Sequence, residues 1–251
     1  MCKEEKIRCL IEEYEKEYTK FMGIDSFPKY ELELFEIKMN EVDEAGFGAI
    51  AQAMYNPKTN EHTLRICINL ELSKYIVFHE FTHILDAEMY ASGDSIKYMC
   101  LSGYTEYHAS QVELMVLLGV DSIHSTELTF SFKSQIETFS SIMSIEDYLC
   151  CKHQFVVEMM SKKDFPANIE ILKTTLGVLY NYFGLRSICK MYAQDYVEQV
   201  DNTTIINILS SQTFYVMDTF MEGWFNKLKV EMSFRPYSNT LIPLIKEYKL
   251  L

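Results

Sequence analysis

The run with the clearest chemical potential is Ile76-Val77-Phe78-His79-Glu80-Phe81-Thr82-His83-Ile84-Leu85-Asp86. Its core is H-E-x-x-H. On a helix, residues four apart lie about 40° apart around the axis and one turn along it. His79 and His83 can therefore aim two imidazoles at one point. Glu80, rotated about 100° from His79, stands beside that point rather than on it. Two neutral imidazoles suit Zn²⁺, and a neighbouring carboxylate can take a proton from a water held there. The plain alternative is a pair of structural histidines on a half-buried helix, with Glu80 and Asp86 as ordinary hydrogen-bond acceptors.

A catalytic zinc needs a third protein ligand and one open position. The extended pattern with a third histidine six residues after His83 is absent, because position 89 is Met and position 86 is Asp. The next cluster is Tyr104-Thr105-Glu106-Tyr107-His108-Ala109-Ser110-Gln111-Val112-Glu113. Glu106, 23 positions after His83, leaves room for a loop that turns the chain back. Ser102, Gly103 and Thr105 before it read as a helix start, which puts Glu106 in a first turn. Small Ala109 and Ser110 would let that helix approach the first closely. Glu113 and Asp121 are rival third ligands. Asp86, one turn beyond His83, is either an acceptor that orients a histidine or a solvated helix residue. His108 points some 200° around the helix from Glu106 and reads as packing or surface. His62, His124 and His153 lack partners at ligand spacing and read as ordinary.

The elements around the motif follow from periodicity. Residues 3–22 form an amphipathic helix, with Ile7, Leu10, Ile11, Tyr14 and Tyr18 at helical spacing. Residues 31–37 alternate charged and apolar, as a strand with one wet face does. Residues 48–55 and 62–69 are two further extended candidates around the turn Asn56-Pro57-Lys58-Thr59-Asn60. Three consecutive strands with short joins predict an antiparallel meander. Residues 73–90 form a long apolar helix closed by Gly93, and residues 105–118 a second closed by Gly119. Beyond residue 124 the pattern is helical throughout. Asp164-Phe165-Pro166 opens a helix that Gly184 closes, and Ser144 with Asp147 resembles a capping box. The fold class is α+β, mostly α, with a catalytic region over residues 1–122 and a helical region over 123–251.

Composition narrows the function classes. Only 24% of the 251 residues are charged and 48% are hydrophobic, which excludes wholesale disorder. The formal charge of −13 repels phosphate backbones and anionic lipid, so neither nucleic acid nor a membrane surface is an expected partner. No stretch of 18 uncharged apolar residues occurs, and the charged start lacks an apolar signal core. The seven cysteines include no C-x-x-C pair and read as reduced, mostly buried thiols of a cytoplasmic protein.

With these residues in view, the chain resembles the gluzincins, zinc peptidases in which two histidines and a downstream glutamate hold the metal. It also resembles the compact bacterial and phage-associated metallopeptidases related to the ImmA/IrrE family, where a short meander precedes the H-E-x-x-H helix and an E-x-x-A helix follows. The resemblance covers about residues 31–120. It implies a zincin-like fold with Zn²⁺ on His79, His83 and Glu106, and Glu80 as general base and acid toward a peptide or protein substrate. Where thermolysin-like members have an Asp four residues after the ligand Glu, this chain has Ser110, so a carboxylate orienting a ligand histidine would come from Asp86 or Glu113. An oxyanion donor is expected too, either Tyr98 between the two ligand helices or a tyrosine, histidine or arginine of the C-terminal half. The resemblance also lays the substrate along an edge strand, here residues 48–53, whose Ala49, Ala51 and Ala53 leave room for side chains. A different class of function, a zinc-containing regulatory module that holds a partner protein without cleaving it, uses the same groove; the intact Glu80 argues for turnover. A third reading is a helical interaction protein whose histidines are structural.

Overall fold

A computed structural model describes residues 2–37, 50–125 and 127–250, and it is α+β and mostly helical. The described residues divide into two compact units. The first comprises Met1–Tyr98, Val112–Leu128 and Thr138–Ser140; the second comprises Met99–Gln111, Thr129–Glu137 and Ser141–Leu251. No helix among the described residues is long and apolar enough to cross a membrane.

The first unit opens with α1 (Lys3–Met22), capped at its start by the Cys2 side chain and the reciprocating Glu5 carboxylate. Gly23 closes it with φ +68°, a left-handed conformation that side chains with a Cβ rarely adopt. Three strands follow: β1 (Glu31–Phe35), β2 (Ala51–Asn56) and β3 (Glu61–Cys67). The turn at residues 57–60 joins β2 to β3 as a hairpin with Ala53 in register with Leu64. The sheet order is β1-β3-β2, and β1 runs parallel to β3, with Leu32 in register with Leu64. The expected antiparallel meander is therefore incorrect: β1 pairs not with its sequence neighbour but with the strand after it. Of the extended segment expected over 48–55, Gly48 and Ala49 lie outside the described residues.

The long apolar helix is α2 (Lys74–Asp86), which continues into one π-helical turn, Ala87–Ala91. Its core face is aromatic. Phe78 meets Tyr18 and Phe21 of α1 at 5.2 and 5.7 Å between ring centroids, and Phe81 meets Phe27 at 4.8 Å. The Tyr18 hydroxyl donates to Thr82 Oγ1 at 3.0 Å. These contacts fix the rotation of α2 and turn His79 and His83 away from α1. Truncating Phe78 or Phe81 to Ala would cost about 3–5 kcal/mol.

The next helix, α3 (Ser95–Leu117), starts ten residues earlier than expected because Asp94 caps it, accepting from the N–H groups of Ile96 and Lys97. Glu106 consequently sits mid-helix rather than in a first turn.

In the second unit the chain is not helical throughout, as expected, but contains a short hairpin of β4 (Gln135–Glu137) and β5 (Ile142–Ser144). Strands of three residues are too short to show a period. Five helices follow: α4 (Ile145–Ser161), α5 (Ile169–Tyr192), α6 (Thr203–Leu209), α7 (Ser211–Phe220) and α8 (Lys227–Glu247). Ser144 caps α4 by accepting from the Asp147 N–H at 3.0 Å. Asn168, not the segment 164–166, caps α5, and Gly184 lies inside that helix rather than at its end. Fully buried Arg186 of α5 ties Glu198 and Asp218 together, and the Tyr182 hydroxyl donates to the same Glu198.

Residues 99–111 of α3 and helix α5 run parallel, because their contacts advance together. A Cβ at Gly103 would stand 2.8 Å from the Tyr180 ring, one at Gly184 only 2.2 Å from the Tyr107 carbonyl oxygen, and Gln111 donates to Ser187. Beside this row, Gly177 faces Glu106 and Asn181 bonds Ser110 at 2.8 Å. At Gly184 the approach is backbone to helix face, which only a residue without Cβ permits.

Candidate metal centre

His79 and His83 project from α2 one turn apart, their ring centroids separated by 4.9 Å at an interplanar angle of 72°. One ligand atom each of His79, His83 and Glu106 lies within 4.8 Å of the other two, and these three form the one such group among the described residues. His79 is buried; His83 and Glu106 are half-buried. Glu106 reaches the group from α3, where Gly177 of α5 lies against its carboxylate: a Cβ there would be 3.4 Å from Oε1. The backbone at Gly177 thus borders the glutamate without forcing its position.

The other nitrogen of His79 is occupied. Its Nδ1 stands 2.8 Å from Oε2 of Glu113, a side chain with no solvent exposure. An ionised carboxylate can only accept, so Nδ1 carries the hydrogen and Nε2 keeps its lone pair for a metal. Glu113 is thus the carboxylate bonded to His79, one of the two that the sequence offers for orienting a histidine. Asp121, the other rival ligand, is exposed beyond the end of α3 and outside the group. Asp86 is buried at the junction of α2 and the π-helical turn.

Glu80 points to the sheet. Its Oε2 accepts the Ala53 N–H of β2 at 2.6 Å. Tyr98 does not lie in a connection between the two helices, as expected, but in the first turns of α3, where its ring packs edge-on against Tyr55 at 4.9 Å. Eight residues separate it from Glu106, about 12 Å along the axis, and its Cβ leans toward the helix start, away from that glutamate.

Three of the four remaining histidines have the packing or hydrogen-bond partners of ordinary side chains, and His124 is exposed. His108 stacks on Tyr104 at 5.4 Å. His62 stacks on Tyr55 and bonds Glu88 through Nε2 at 3.0 Å, and His153 bonds Asn202 at 2.9 Å. Tyr237 of α8 is buried beside Ser102, and burial above all, with Glu106 among the nearby charges, pushes its hydroxyl well above the usual tyrosine range.

The chain matches no known family model, no curated protein and no solved structure.

Those donors fit zinc. Two imidazoles and one carboxylate are a common catalytic ligand set, and an ordered carboxylate behind one imidazole is the usual support. Two features escaped sequence reasoning: the Ala53 N–H facing Glu80, and Gly177 facing Glu106. The first is a backbone group and leaves no residue-type signal. The second had one, since Gly177 and Gly184 sit seven apart inside an apolar helical run.

Proposed function

We propose that this chain is a zinc-dependent peptide hydrolase. The convergence of His79, His83 and Glu106, with Glu113 behind His79, is the observation that carries the reading. Zn²⁺ in that group would polarise a substrate carbonyl and lower the pKa of a bound water toward about 7.

The chain's own residues supply the rest. Glu113 holds His79 in one tautomer and orientation. Glu80 is the proton carrier: it takes the proton of the attacking water as the new C–O bond forms, then delivers it to the leaving nitrogen as the C–N bond breaks. Strand β2 has a free edge among the described residues, and an extended substrate chain would pair along it. Of the small residues expected to leave room there, Ala51 is fully buried and Ala53 is half-buried, so only the part of the edge from residue 53 onward is open to a substrate. The gluzincin-like, zincin-type assignment belongs to this reading, as do zinc itself and a peptide or protein as substrate.

The test is a peptide library incubated with the zinc-loaded protein and its Glu80→Gln variant. Cleavage by the first and none by the second is expected, because an amide cannot accept the water's proton. An active Glu80→Gln protein would overturn the mechanism. Retained zinc without cleavage by either would point instead to a groove that holds a partner strand intact.

A further inference from the structure

We propose that the outer edge of β1 is a docking site for an extended segment of a partner protein whose residues alternate basic and apolar. This edge lies on the far side of the sheet from β2, so the inference does not rest on the metal group or on hydrolysis.

The hydrogen bonds of β3 fix which way β1 faces. Ala53 is in register with Leu64, yet its N–H goes to Glu80, so Leu64 does not exchange hydrogen bonds with β2. Thr63 and Arg65 do, with Met54 and Gln52 opposite them. The N–H and C=O of successive residues point to alternate sides, so Leu64, Ile66 and Ile68 serve β1. In agreement, the Ile68 N–H donates to the Phe35 carbonyl at 2.8 Å. Phe35, Glu33 and Glu31 therefore face β3, while Leu32 and Leu34 turn both backbone groups to the outer side. Among the described residues no strand pairs with that side, and no turn or loop bond takes these groups up.

Such an edge is a template for a further strand. β1 has no proline and no bulge, two of the devices that close an edge. Its side chains select the occupant. Glu31 and Glu33 are exposed on one face, and Leu32 and Leu34 are half-buried on the other. A second copy of β1 would set glutamate against glutamate, which opposes self-pairing. A strand with lysine or arginine on that face meets opposite charge instead. Arg65 of β3 already holds Glu33 at 3.2 Å, whereas Glu31 has no ion pair among the described residues. Apolar residues at the alternate positions extend the face of Leu32 and Leu34. The chain's formal charge of −13 attracts the same partner.

The test is amide hydrogen exchange, read by NMR on the metal-free full-length protein. The probe is a blocked peptide of alternating Lys and Val, about as long as β1 with a residue to spare at each end, and a Glu/Val peptide of equal length is the control. In the free protein Leu32 and Leu34 should exchange about tenfold or more faster than Glu33 and Phe35. Saturating Lys/Val peptide should slow Leu32 and Leu34 by about tenfold or more and leave Glu33 and Phe35 unchanged. Glu31→Lys should weaken Lys/Val binding by about fivefold and strengthen Glu/Val binding. Should that variant fail to fold, Glu31→Gln should still weaken Lys/Val binding. Leu32 and Leu34 as slow as Glu33 and Phe35 in the free protein would overturn the open edge. A Lys/Val peptide that does not bind, or that binds without slowing these two amides, overturns the docking site. Equal binding of the Glu/Val peptide, or protection that grows with protein concentration alone, overturns the choice of a basic partner.

Discussion

The Nδ1 atom of His79 lies 2.8 Å from Oε2 of Glu113, and the glutamate is wholly buried. Both side chains belong to helices that also carry members of the metal group: α2 brings His83 and α3 brings Glu106. The glutamate two turns after Glu106 thus bonds the first histidine, so one helix carries both a member of the candidate metal group and the carboxylate behind another member.

That arrangement predicts graded effects on metal affinity. Glu113→Ala should weaken zinc binding by about 10–100-fold, the usual cost of losing a carboxylate behind a ligand histidine. Glu113→Gln should recover part of it, because the amide oxygen still accepts from Nδ1. Competition against a zinc chelator measures both. A Glu113→Ala protein that binds zinc as tightly as the parent would contradict the orienting role, and one as damaged as His79→Ala would make Glu113 a ligand.

The parallel seam of α3 and α5 predicts a sharp contrast between two glycines. A Cβ at Gly184 would stand 2.2 Å from the Tyr107 carbonyl oxygen, which is backbone and cannot step aside. Gly184→Ala should destabilise the protein by about 1–3 kcal/mol or more in urea unfolding. At Gly177 the nearest atom is the Glu106 Oε1 at 3.4 Å, an ordinary contact. Gly177→Ala should fall within about 1 kcal/mol of the parent, the helix preference of alanine offsetting the lost space. Equal losses at both positions would contradict the seam.

Alkaline pH should unfold the protein ahead of ordinary tyrosine titration in the folded state. Burial pushes the Cys189 thiol and the Tyr75 hydroxyl each up to about 12, from ordinary values of 9.0 and 10.0. For an acid whose folded pKa is raised, the stabilising contribution is complete below the unfolded value and is lost as pH climbs toward the folded one. The melting temperature should therefore decline between about pH 9 and pH 12. At pH 8, iodoacetamide should label exposed Cys2, Cys9, Cys150 and Cys151 while buried Cys189 stays unreacted. A melting temperature that rises above pH 9, or rapid labelling of Cys189, would contradict this.

Local pattern made several elements legible. The apolar spacing of Ile7, Ile11 and Tyr18 gave α1, and the Asn/Pro turn gave the β2–β3 hairpin. The histidine spacing placed both imidazoles on one face of α2, and Glu106 joins them. What sequence missed depended on distant partners. The pairing of β1 with β3 is a long-range choice that no strand period encodes. The start of α3 was misplaced because Gly103 reads as a breaker, whereas inside the helix it makes room for the Tyr180 and Tyr237 rings.

The most direct test is the metal content of the purified full-length protein and of its His79→Ala and Glu106→Ala variants, measured by elemental analysis after dialysis against metal-free buffer. Close to one zinc per chain is expected in the parent, with loss in each variant, because removing one of three protein ligands leaves an incomplete shell. A parent without bound metal, or variants that both keep stoichiometric zinc, would contradict the metal centre on His79, His83 and Glu106.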